Sequence, residues 1–324
     1  MIEIVALSDA MREVIRLALR VASTDANVLV TGESGSGKDA LASFIHSRSP
    51  RRDAALVKID CAALPSELLE AELFGYERGA FTGATEARPG RLEAAHKGTV
   101  VLDEVAHLSV DAQAKLLRVI EEREFERLGG RRIIKVDARL VALTNVDLDD
   151  AVKRRSFRED LFYRLNVMRL HVPPLRERRE DIEKLARGFL KTYATKHGRS
   201  VTGITPETLK ILKAYEFPGN VRELSNTIER AVIVASDSKL QAADLPEALR
   251  VSVLMRERAS KRRSLAEVEA DYISETLEAV GGNKSEAARL LGISRKNLYE
   301  KLKRYAIVVG GRWSVVSKKP DTDH

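Results

Sequence analysis

A phosphate-binding loop constrains this chain of 324 residues more than any other feature. The apolar residues 27–31 precede a G-x-x-x-x-G-K motif formed by Gly32, Glu33, Ser34, Gly35, Ser36, Gly37 and Lys38, which Asp39 follows. The glycines let backbone N–H groups turn towards anionic oxygens, the lysine reaches phosphates, and a helix predicted at residues 40–46 favours negative charge at its start. A Gly/Ser-rich turn is the alternative, but this order of strand, loop and helix predicts a nucleotide-binding site.

Two acidic residues follow a second apolar run, 100–102, and complete the expected site. Because parallel strands end at one edge of a sheet, Asp103 and Glu104 are expected beside the phosphate loop. Asp103 would hold Mg²⁺, and Glu104 would polarise the attacking water. Asp39 stands where this motif usually has the Ser or Thr that would ligate Mg²⁺. The guanine-recognition motif N-K-x-D has its nearest match at residues 144–147, which lack the lysine. ATP with Mg²⁺ is therefore the predicted ligand.

Short β-rich runs alternate with helical patterns over residues 1–172, which predicts an α/β domain with a largely parallel sheet. The helical pattern at residues 111–122 places Ala114, Leu117 and Ile120 at helical spacing. The predicted strands are residues 27–31, 56–59, 99–102, 139–143 and 168–172.

Prolines at positions 173 and 174 end the alternating pattern. Helices alone are predicted for residues 178–249, within a helical subdomain of residues 173–249. A basic stretch at residues 256–264 predicts a linker over residues 250–263, with a charged helix face as the alternative. An all-α unit at residues 264–308 and a tail at 309–324 complete the predicted organisation.

Composition limits the class of protein. Cys61 is the only cysteine, so a disulfide framework is excluded, and it is interpreted as a small core residue rather than a nucleophile. No apolar run approaches the roughly 18 residues that span a bilayer. The first residues lack the basic-then-apolar order of a signal peptide. We therefore expect a cytoplasmic protein without a membrane partner.

The net charge of +7 is concentrated near the C-terminus. Residues 251–324 contain 15 Lys and Arg against 10 Asp and Glu, a balance of +5, which leaves 7 − 5 = +2 for the first 250 residues. A polyanionic partner for the C-terminal quarter is one interpretation, and a solvated basic surface is the other.

Residues 281–305 have the pattern of a helix-turn-helix. Asn283 would cap a helix over residues 284–291, Gly292 would end it, and Ser294 would cap the next helix, with Leu298 and Leu302 facing inward. These residues include seven basic and two acidic side chains, a balance of +5. The pattern predicts binding to double-stranded DNA, with a generic helical hairpin as the alternative.

Base contacts are predicted for Arg295 and Asn297, since Arg prefers guanine edges and Asn prefers adenine edges. Lys301 and Lys303 are expected at phosphates. The preceding helix, residues 265–280, would carry a dimer surface. The full predicted DNA-binding set is Asn283, Ser294, Arg295, Lys296, Asn297, Tyr299, Lys301 and Lys303.

A loop of small residues lies between the phosphate loop and the Asp-Glu strand. Its sequence is Gly79, Ala80, Phe81, Thr82, Gly83 and Ala84. Small residues weaken any helix or strand there, and an apolar Phe81 on such a loop favours contact with a partner. The alternative is a glycine-rich turn with Phe81 packed inside.

With this hexapeptide, residues 6–305 resemble the bacterial enhancer-binding proteins, AAA+ ATPases that activate sigma-54 RNA polymerase. The resemblance implies an AAA+ P-loop NTPase fold with a parallel sheet, a helical lid subdomain and a Fis-type helix-turn-helix at the C-terminus. It also implies that residues 79–84 contact sigma-54 as the bound nucleotide changes.

Further roles are implied by the same resemblance. Thr144 and Asn145 are similar to the segment that senses the γ-phosphate, and Arg222 is similar to the lid arginine that reaches bound nucleotide. Arg158 and Arg164 would act on ATP in a neighbouring subunit, which implies a homo-oligomer between dimer and hexamer. For each of these two arginines, an ion pair with Glu159 or Asp160 is the alternative.

Two residues depart from the family pattern. Asp39 stands where the family typically has Glu. Asp60 stands where it usually has an Asn that is thought to hold the catalytic Glu, here Glu104. We hypothesise that this switch is altered, because Asp60 would face Glu104 as a like charge. An Asp60→Asn variant with an unchanged rate of ATP hydrolysis and unchanged coupling to DNA and sigma-54 would contradict the hypothesis.

The predicted function is that of a sigma-54-dependent activator. It would bind an upstream DNA site and use ATP hydrolysis to remodel the closed RNA polymerase complex. The alternatives are a DNA-binding regulator that binds ATP without acting on sigma-54, and a generic AAA+ remodelling protein. Because the resemblance begins near Leu7, we expect either control by a separate protein acting in trans or a sequence truncated before that point.

Overall fold

A computed structural model describes residues 4–260 and 265–305, which form two compact units divided between residues 253 and 254. The strands are β1 (Val28–Thr31), β2 (Leu56–Asp60), β3 (Gly75–Tyr76), β4 (Arg88–Pro89), β5 (Thr99–Asp103), β6 (Glu124–Glu126), β7 (Ile133–Lys135), β8 (Arg139–Thr144), β9 (Met168–His171), β10 (Gly203–Ile204) and β11 (Lys239–Leu240).

Helices surround these strands and form the described part of the second unit. They are α1 (Asp9–Ala22), α2 (Lys38–Ser47), α3 (Ser66–Phe74), α4 (Arg91–Ala94), α5 (Val110–Glu122), α6 (Leu148–Lys153), α7 (Glu159–Leu165), α8 (Arg179–Lys196), α9 (Pro206–Ala214), α10 (Asn220–Val234), α11 (Glu247–Ser260), α12 (Leu265–Ala279), α13 (Lys284–Leu290) and α14 (Arg295–Arg304). No helix in the described ranges has the length and apolar character needed to cross a bilayer.

A five-stranded parallel sheet with the order β2-β5-β8-β1-β9 forms the centre of the first unit. Strands β1 and β8 are buried along their whole length, as expected for central strands with helices on both faces. All five predicted strands are confirmed, each within one residue at its ends. The predicted α/β class is therefore confirmed, and the carboxyl ends of the strands meet at one edge.

Helices cover both faces of this sheet. On one face, α1 and α2 pack Met11, Leu41 and Ile45 against β1, β8 and β9. On the other face, α3, α5 and α7 form a second cluster. The predicted helix at residues 111–122 is confirmed as α5, but its buried residues are Ala112, Gln113, Leu116 and Val119. The three residues with helical spacing, Ala114, Leu117 and Ile120, are only half-buried.

The lid, residues 175–249, packs α8, α9 and α10 around Leu190, Leu212 and Ile228. The expectation of helices alone is wrong here, because β10 and β11 form a short parallel pair. Buried Ile204 and Leu240 anchor this pair, and the main chain of the two connecting segments gains hydrogen bonds from it. Residues 250–260 of the predicted linker lie in α11, and residues 261–263 lie outside the described residues.

The second unit contains the helix-turn-helix. Ile273 and Leu277 of α12 pack against Ala287 of α13 and against Leu298 and Leu302 of α14. The inward positions of both leucines are confirmed. Between α13 and α14, Gly292 has φ +65°, a left-handed conformation that a residue with a Cβ adopts at a cost. The predicted tail at residues 309–324 lies outside the described residues.

A buried arginine joins the end of α1 to the sheet. Arg139 on β8 is 1% exposed, and its guanidinium donates hydrogen bonds to the carbonyl oxygens of Val21 (2.7 Å), Ala22 (3.0 Å) and Ala26 (3.3 Å). Val21 and Ala22 lie in the last turn of α1, where the helix dipole favours a cation. The Val21 carbonyl oxygen also accepts hydrogen bonds from Thr24, so the loss of Arg139 would affect the other two carbonyls most.

We expect Arg139→Met to lower the free energy of unfolding by about 2 kcal/mol, because buried carbonyl groups would lose their donor. Urea unfolding measures this difference. Arg52→Met is the control, since the Arg52 side chain is 65% exposed and its loss should change stability by less than about 0.5 kcal/mol. Equal unfolding midpoints for the two variants would contradict the assignment.

Candidate nucleotide-binding site

The phosphate loop connects β1 to α2, and its shape requires glycine at two tightly packed positions. Gly32 has φ +149°, and a Cβ there would lie 2.6 Å from the Val172 carbonyl oxygen. Gly35 has φ +72°, and a Cβ there would lie 2.5 Å from the Gly219 carbonyl oxygen. The first N–H groups of α2, which begins directly after Gly37, have no acceptor within the helix. This geometry is suited to an anion at the helix start.

Lys38 lies between the loop and the acidic residues. Its side chain is almost completely buried, and Nζ donates to the carbonyl oxygens of Gly32 (3.0 Å) and Glu33 (3.3 Å). The same ammonium is 3.8 Å from Glu104 Oε1. The structure therefore brings together the lysine of the loop and one of the two predicted carboxylates.

The acidic pair sits where β5 ends. Glu104 has φ +51°, and its N–H donates to Asp103 Oδ1 at 3.0 Å. Glu104 Oε2 accepts a hydrogen bond from the Asn145 backbone N–H at 3.2 Å. Burial, and next the nearby Glu104 charge, raise the pKa of Asp103 above its ordinary value. A divalent cation would offset both effects, and carboxylate oxygens are ligands that Mg²⁺ prefers.

Asp60 ends the neighbouring strand and pairs in register with Asp103. Its Oδ1 accepts the Ala62 backbone N–H at 2.9 Å, so the carboxylate is held in its own turn. Burial raises the pKa of the Cys61 thiol to about 12, and the charges of Asp60, Asp103 and Glu104 add to this effect. Cys61 is therefore a buried thiol. The hypothesis that Asp60 alters the Glu104 switch stays a hypothesis.

A cavity of about 300 Å³ opens between the phosphate loop and the lid. The lid contributes Phe189 from α8 and three residues from α10, including Arg222, whose Nη1 donates to Ser34 Oγ at 3.0 Å. Ser36 Oγ is buried and has no hydrogen-bond partner in the described part of the chain, which fits a site for a polar ligand. The lining residues are Ser34, Gly35, Gly37, Lys38, Asp39, Ala40, Asp103, Glu104, Phe189, Val221, Arg222 and Ser225.

A loop–lid contact, formed by Glu33, Arg176 and Asn220, holds the phosphate loop from the lid side. The Arg176 guanidinium donates two hydrogen bonds to the Glu33 carboxylate, at 2.6 and 2.9 Å. Asn220 Nδ2 donates to Glu33 Oε2 (3.0 Å) and to the Ser34 carbonyl oxygen (3.1 Å). Asn220 is completely buried at φ +54°, and its Oδ1 accepts the Leu175 N–H at 2.7 Å.

Main-chain contacts continue this attachment along the loop. The Val221 N–H donates to the Gly35 carbonyl oxygen at 3.0 Å, and the buried Arg178 guanidinium donates to the Ser36 carbonyl oxygen. The lid thus binds each residue from Glu33 to Ser36. Arg176, Arg178 and Asn220 were not predicted as site residues. They contact the phosphate loop from a distant part of the chain, and no local pattern distinguishes them from surface polar residues.

Both predicted trans-acting arginines form ion pairs within this chain. Arg158 donates to the two carboxylate oxygens of Asp160 at 3.0 and 2.7 Å, as the alternative described. Arg164 pairs with Glu121 at 2.8 Å rather than with Glu159 or Asp160. Both side chains are well exposed, at 40% and 60%. Their action on a neighbouring subunit stays a prediction.

Residues 79–84 form a compact turn between β3 and β4. Gly79 and Gly83 have φ +84° and +104°, and the Gly79 N–H donates to the Ala84 carbonyl oxygen at 2.8 Å. The Phe81 ring packs edge-on against Tyr76 with 5.0 Å between centroids, yet Phe81 stays 40% exposed. Phe81 therefore lies between the two expectations, an exposed partner contact and a ring packed inside. One side of its ring packs on the domain, and the other side faces solvent.

In the helix-turn-helix, two predicted DNA-binding residues act as helix caps. Asn283 Oδ1 accepts N–H groups at the start of α13, and Ser294 Oγ accepts the Asn297 N–H at 3.2 Å. Exposed side chains of the predicted set on α14 are Arg295, Lys296, Asn297, Tyr299 and Lys303.

Lys301, the remaining predicted residue on α14, is half-buried rather than exposed. Its Nζ lies 2.5 Å from Glu269 Oε1 on α12, and the Tyr305 hydroxyl donates to the other oxygen of the same carboxylate. Lys301 is half-buried in this ion pair, because the charge of Glu269 draws its ammonium onto α12. Its proposed phosphate contact would require this ion pair to open.

The loop–lid contact predicts a specific pH dependence of stability. Hydrogen bonds from Arg176, and next from Asn220, lower the pKa of Glu33 to about 2. Since this pKa lies below that of an unfolded Glu, about 4.3, the stabilisation is full above pH 5 and declines as the pH falls towards 2. The urea midpoint of the wild type should therefore exceed that of Glu33→Gln by an amount that shrinks between pH 5 and pH 3. A constant difference would contradict the loop–lid contact.

Family models match almost the whole described chain. Residues 4–171 match the sigma-54 interaction domain, residues 176–262 match the AAA+ ATPase lid domain, and residues 264–305 match the Fis family of bacterial regulatory proteins. The first match covers the phosphate loop, the acidic pair and residues 79–84 together. It favours the activator over both alternative functions.

Known proteins agree with this assignment. The chain is 47% identical to the regulatory protein AtoC of Escherichia coli over 308 residues, which is 93% of this chain and 67% of that protein. It is 45% identical to the transcriptional regulatory protein FlbD of Caulobacter vibrioides, over 92% of this chain and 69% of FlbD. The crystal structure of NtrX from Brucella abortus in complex with ATP is similar, with a TM-score of 0.72 and 34% identity over 94% of this chain and 70% of NtrX.

These matches confirm the predicted fold, an AAA+ P-loop NTPase with a helical lid and a C-terminal Fis-type helix-turn-helix. The family models also support nucleotide binding as the chemistry of the AAA+ domain, and sigma-54 and DNA as the partners. The chain belongs to the bacterial enhancer-binding proteins and is a sigma-54-dependent transcriptional activator.

Proposed function

We propose that this activator hydrolyses ATP with Mg²⁺ and uses the hydrolysis to remodel the closed complex of sigma-54 RNA polymerase. The observation that carries the proposal is the approach of Lys38 Nζ to Glu104 Oε1, 3.8 Å apart at the mouth of the 300 Å³ cavity. A buried ammonium beside the anion-binding loop and a carboxylate able to accept a proton are the two groups that phosphoryl transfer to water requires.

Each residue of the site has a proposed task. Lys38 and Arg222 bind phosphate oxygens, and Asp103 holds Mg²⁺, which when bound neutralises developing charge on the phosphates. Glu104 accepts a proton from the attacking water. Asn145, whose N–H is hydrogen-bonded to Glu104, lies in a position to report the presence of the γ-phosphate to the rest of the sheet.

Hydrolysis in a homo-oligomer is part of the proposal. The exposed Arg158 and Arg164 side chains would leave their ion pairs and stabilise the transition state in a neighbouring subunit, an effect worth about 10³–10⁵ in rate for such arginines. An exposed pair of this kind opens at little cost, since its stabilisation is at most about 1 kcal/mol. We also propose that the protein acts in the cytoplasm as an oligomer between dimer and hexamer. A separate protein acting in trans would regulate it.

Two surfaces would connect the ATPase to transcription. The loop of residues 79–84 presents Phe81 and Thr82 to sigma-54, and its two glycines let the turn change shape with little steric resistance. On α14, Arg295 and Asn297 would read base edges while Lys296 and Lys303 meet phosphates.

Two single substitutions separate the chemistry from its use. Glu104→Gln should lower ATP hydrolysis by about 10²–10⁴-fold, because the proton acceptor is lost. Thr82→Ala should abolish open-complex formation on a sigma-54 promoter while ATP hydrolysis persists, since Thr82 lies outside the cavity. Phosphate release and promoter opening would be measured on the same preparations.

Ser47→Ala is the matched control, since Ser47 lies at the far end of α2 and bonds only within its helix. Promoter opening by Thr82→Ala at the wild-type level would remove the assigned role of the loop. ATP hydrolysis by Glu104→Gln at the wild-type rate would remove Glu104 as the base.

An exposed apolar stripe on α12 supports a dimer of the DNA-binding unit. Leu265, Val268 and Tyr272 are 90%, 50% and 62% exposed, and their spacing places them on one face of the helix, distinct from the buried Ile273 and Leu277. Solvated apolar stripes of this kind favour burial against a partner.

Val268→Asp should therefore weaken self-association and lower affinity for a two-fold symmetric DNA site, because a charge would be buried at the interface. Sedimentation velocity and DNA binding measure the two effects. Glu278→Lys on the same helix is the control, because it changes a charge that is exposed and lies to the side of the stripe. A Val268→Asp variant with unchanged sedimentation would contradict this dimer surface.

A further inference from the structure

An ion pair flanks the start of the helix beneath the phosphate loop. Lys58 Nζ on β2 lies 2.6 Å from Asp39 Oδ1 on α2. Asp39 lines the 300 Å³ cavity and occupies the position directly after Lys38. The two side chains are 41% and 60% exposed, so each keeps access to solvent.

The surroundings of this pair are acidic. Asp103 and Glu104 line the cavity together with Asp39, and Asp60 ends β2 in register with Asp103. Side chains two residues apart on a strand lie on the same face, so Lys58 shares the face of β2 that carries Asp60. Four carboxylates thus gather at an edge that receives a polyphosphate, and the repulsion would oppose binding.

The two lysines at this edge have different partners. Lys38 is buried and bonded to the carbonyl oxygens of Gly32 and Glu33, and its nearest carboxylate is Glu104. Lys58 is bonded to Asp39, outside the loop. The Asp39 carboxylate would otherwise compete with phosphate for the positive field at the start of α2, because both are anions at a helix N-terminus.

We propose that Lys58 is a positioning residue for nucleotide binding, which holds the Asp39 carboxylate towards β2 and offsets the negative charge that Asp39 and Asp60 add to the phosphate site. The inference deepens the proposed ATPase and rests on nucleotide binding at this site. It assigns Lys58 no contact with the reacting atoms.

Calorimetric titration of the full chain with ATP and Mg²⁺ at low salt tests the inference. Lys58→Met should raise the Kd for ATP about three- to tenfold, since one positive charge is lost near several carboxylates. Lys58→Arg should stay near the wild-type affinity, because the charge and the reach to Asp39 are kept. The Lys58→Met effect should shrink as salt is added, because the groups are partly exposed.

Second variants distinguish repulsion from damage to the fold. Lys58→Met combined with Asp39→Asn should regain most of the lost affinity, because the unpaired carboxylate is gone. Lys58→Met combined with Asp60→Asn should regain part of it. Lys153→Met is the control, since Lys153 is 75% exposed in an ion pair with Asp150 on α6 and does not line the cavity.

The inference is overturned if Lys58→Met binds ATP as tightly as the wild type, or if the double variant with Asp39→Asn binds no better than Lys58→Met alone. Wild-type protein that fails to bind ATP would overturn it as well. Wild-type protein that binds ATP but does not hydrolyse it would contradict the proposed ATPase and leave this binding test decisive, so the two failures are distinguishable.

Discussion

The phosphate loop depends on contacts from elsewhere in the chain, because a glycine-rich loop has few side chains that hold its own shape. The lid supplies these contacts through Arg176 and Asn220, which bind Glu33 and Ser34, and through Arg178 and Val221, which bind the next two residues. A rotation of the lid would therefore change the loop that binds phosphate, and binding of phosphate would in turn restrain the lid. This reciprocity is a property of any two coupled sites.

The parallel sheet brings the remaining groups to the same place. Strands β5 and β8 end in Asp103 and Thr144, and the residues that follow, Glu104 and Asn145, meet through a hydrogen bond of 3.2 Å. The loop after β1 places Lys38 beside them. The groups proposed to sense nucleotide, to act on water and to bind phosphate thus lie on or next to three neighbouring strands, so a shift of one strand would move its group relative to the other two.

Sequence patterns predicted what local chemistry determines. The three inner strands β1, β5 and β8 read as largely apolar runs because both of their faces are covered, and the caps Asn283 and Ser294 are recognised from their own neighbours. The loop–lid contact joins Glu33 to residues 143 and 187 positions away, which no local pattern encodes. The same limit explains β10 and β11, the buried face of α5 and the turn of Lys301 towards Glu269, since each depends on a partner distant in the chain.

Backbone strain occurs at the site and in the lid, as well as at Lys97, Arg123 and Arg155. Glu104, Phe217 and Asn220 have positive φ without being glycine, a conformation that costs on the order of 1 kcal/mol or more at each residue. Asn220 is held by hydrogen bonds to Leu175, Glu33 and Ser34, and Phe217 is completely buried in the lid core, so the surroundings oppose relaxation at both. Glu104 is restrained by its N–H bond to Asp103, a carboxylate bond from the Asn145 N–H, a bond from the His107 N–H to its carbonyl oxygen and the Lys38 ammonium 3.8 Å from Oε1. Lys38 and Asp103, two of the groups that hold Glu104, line the same cavity. A bound nucleotide that drew either of them onto its phosphates or Mg²⁺ would therefore change what holds the strained, proposed catalytic base.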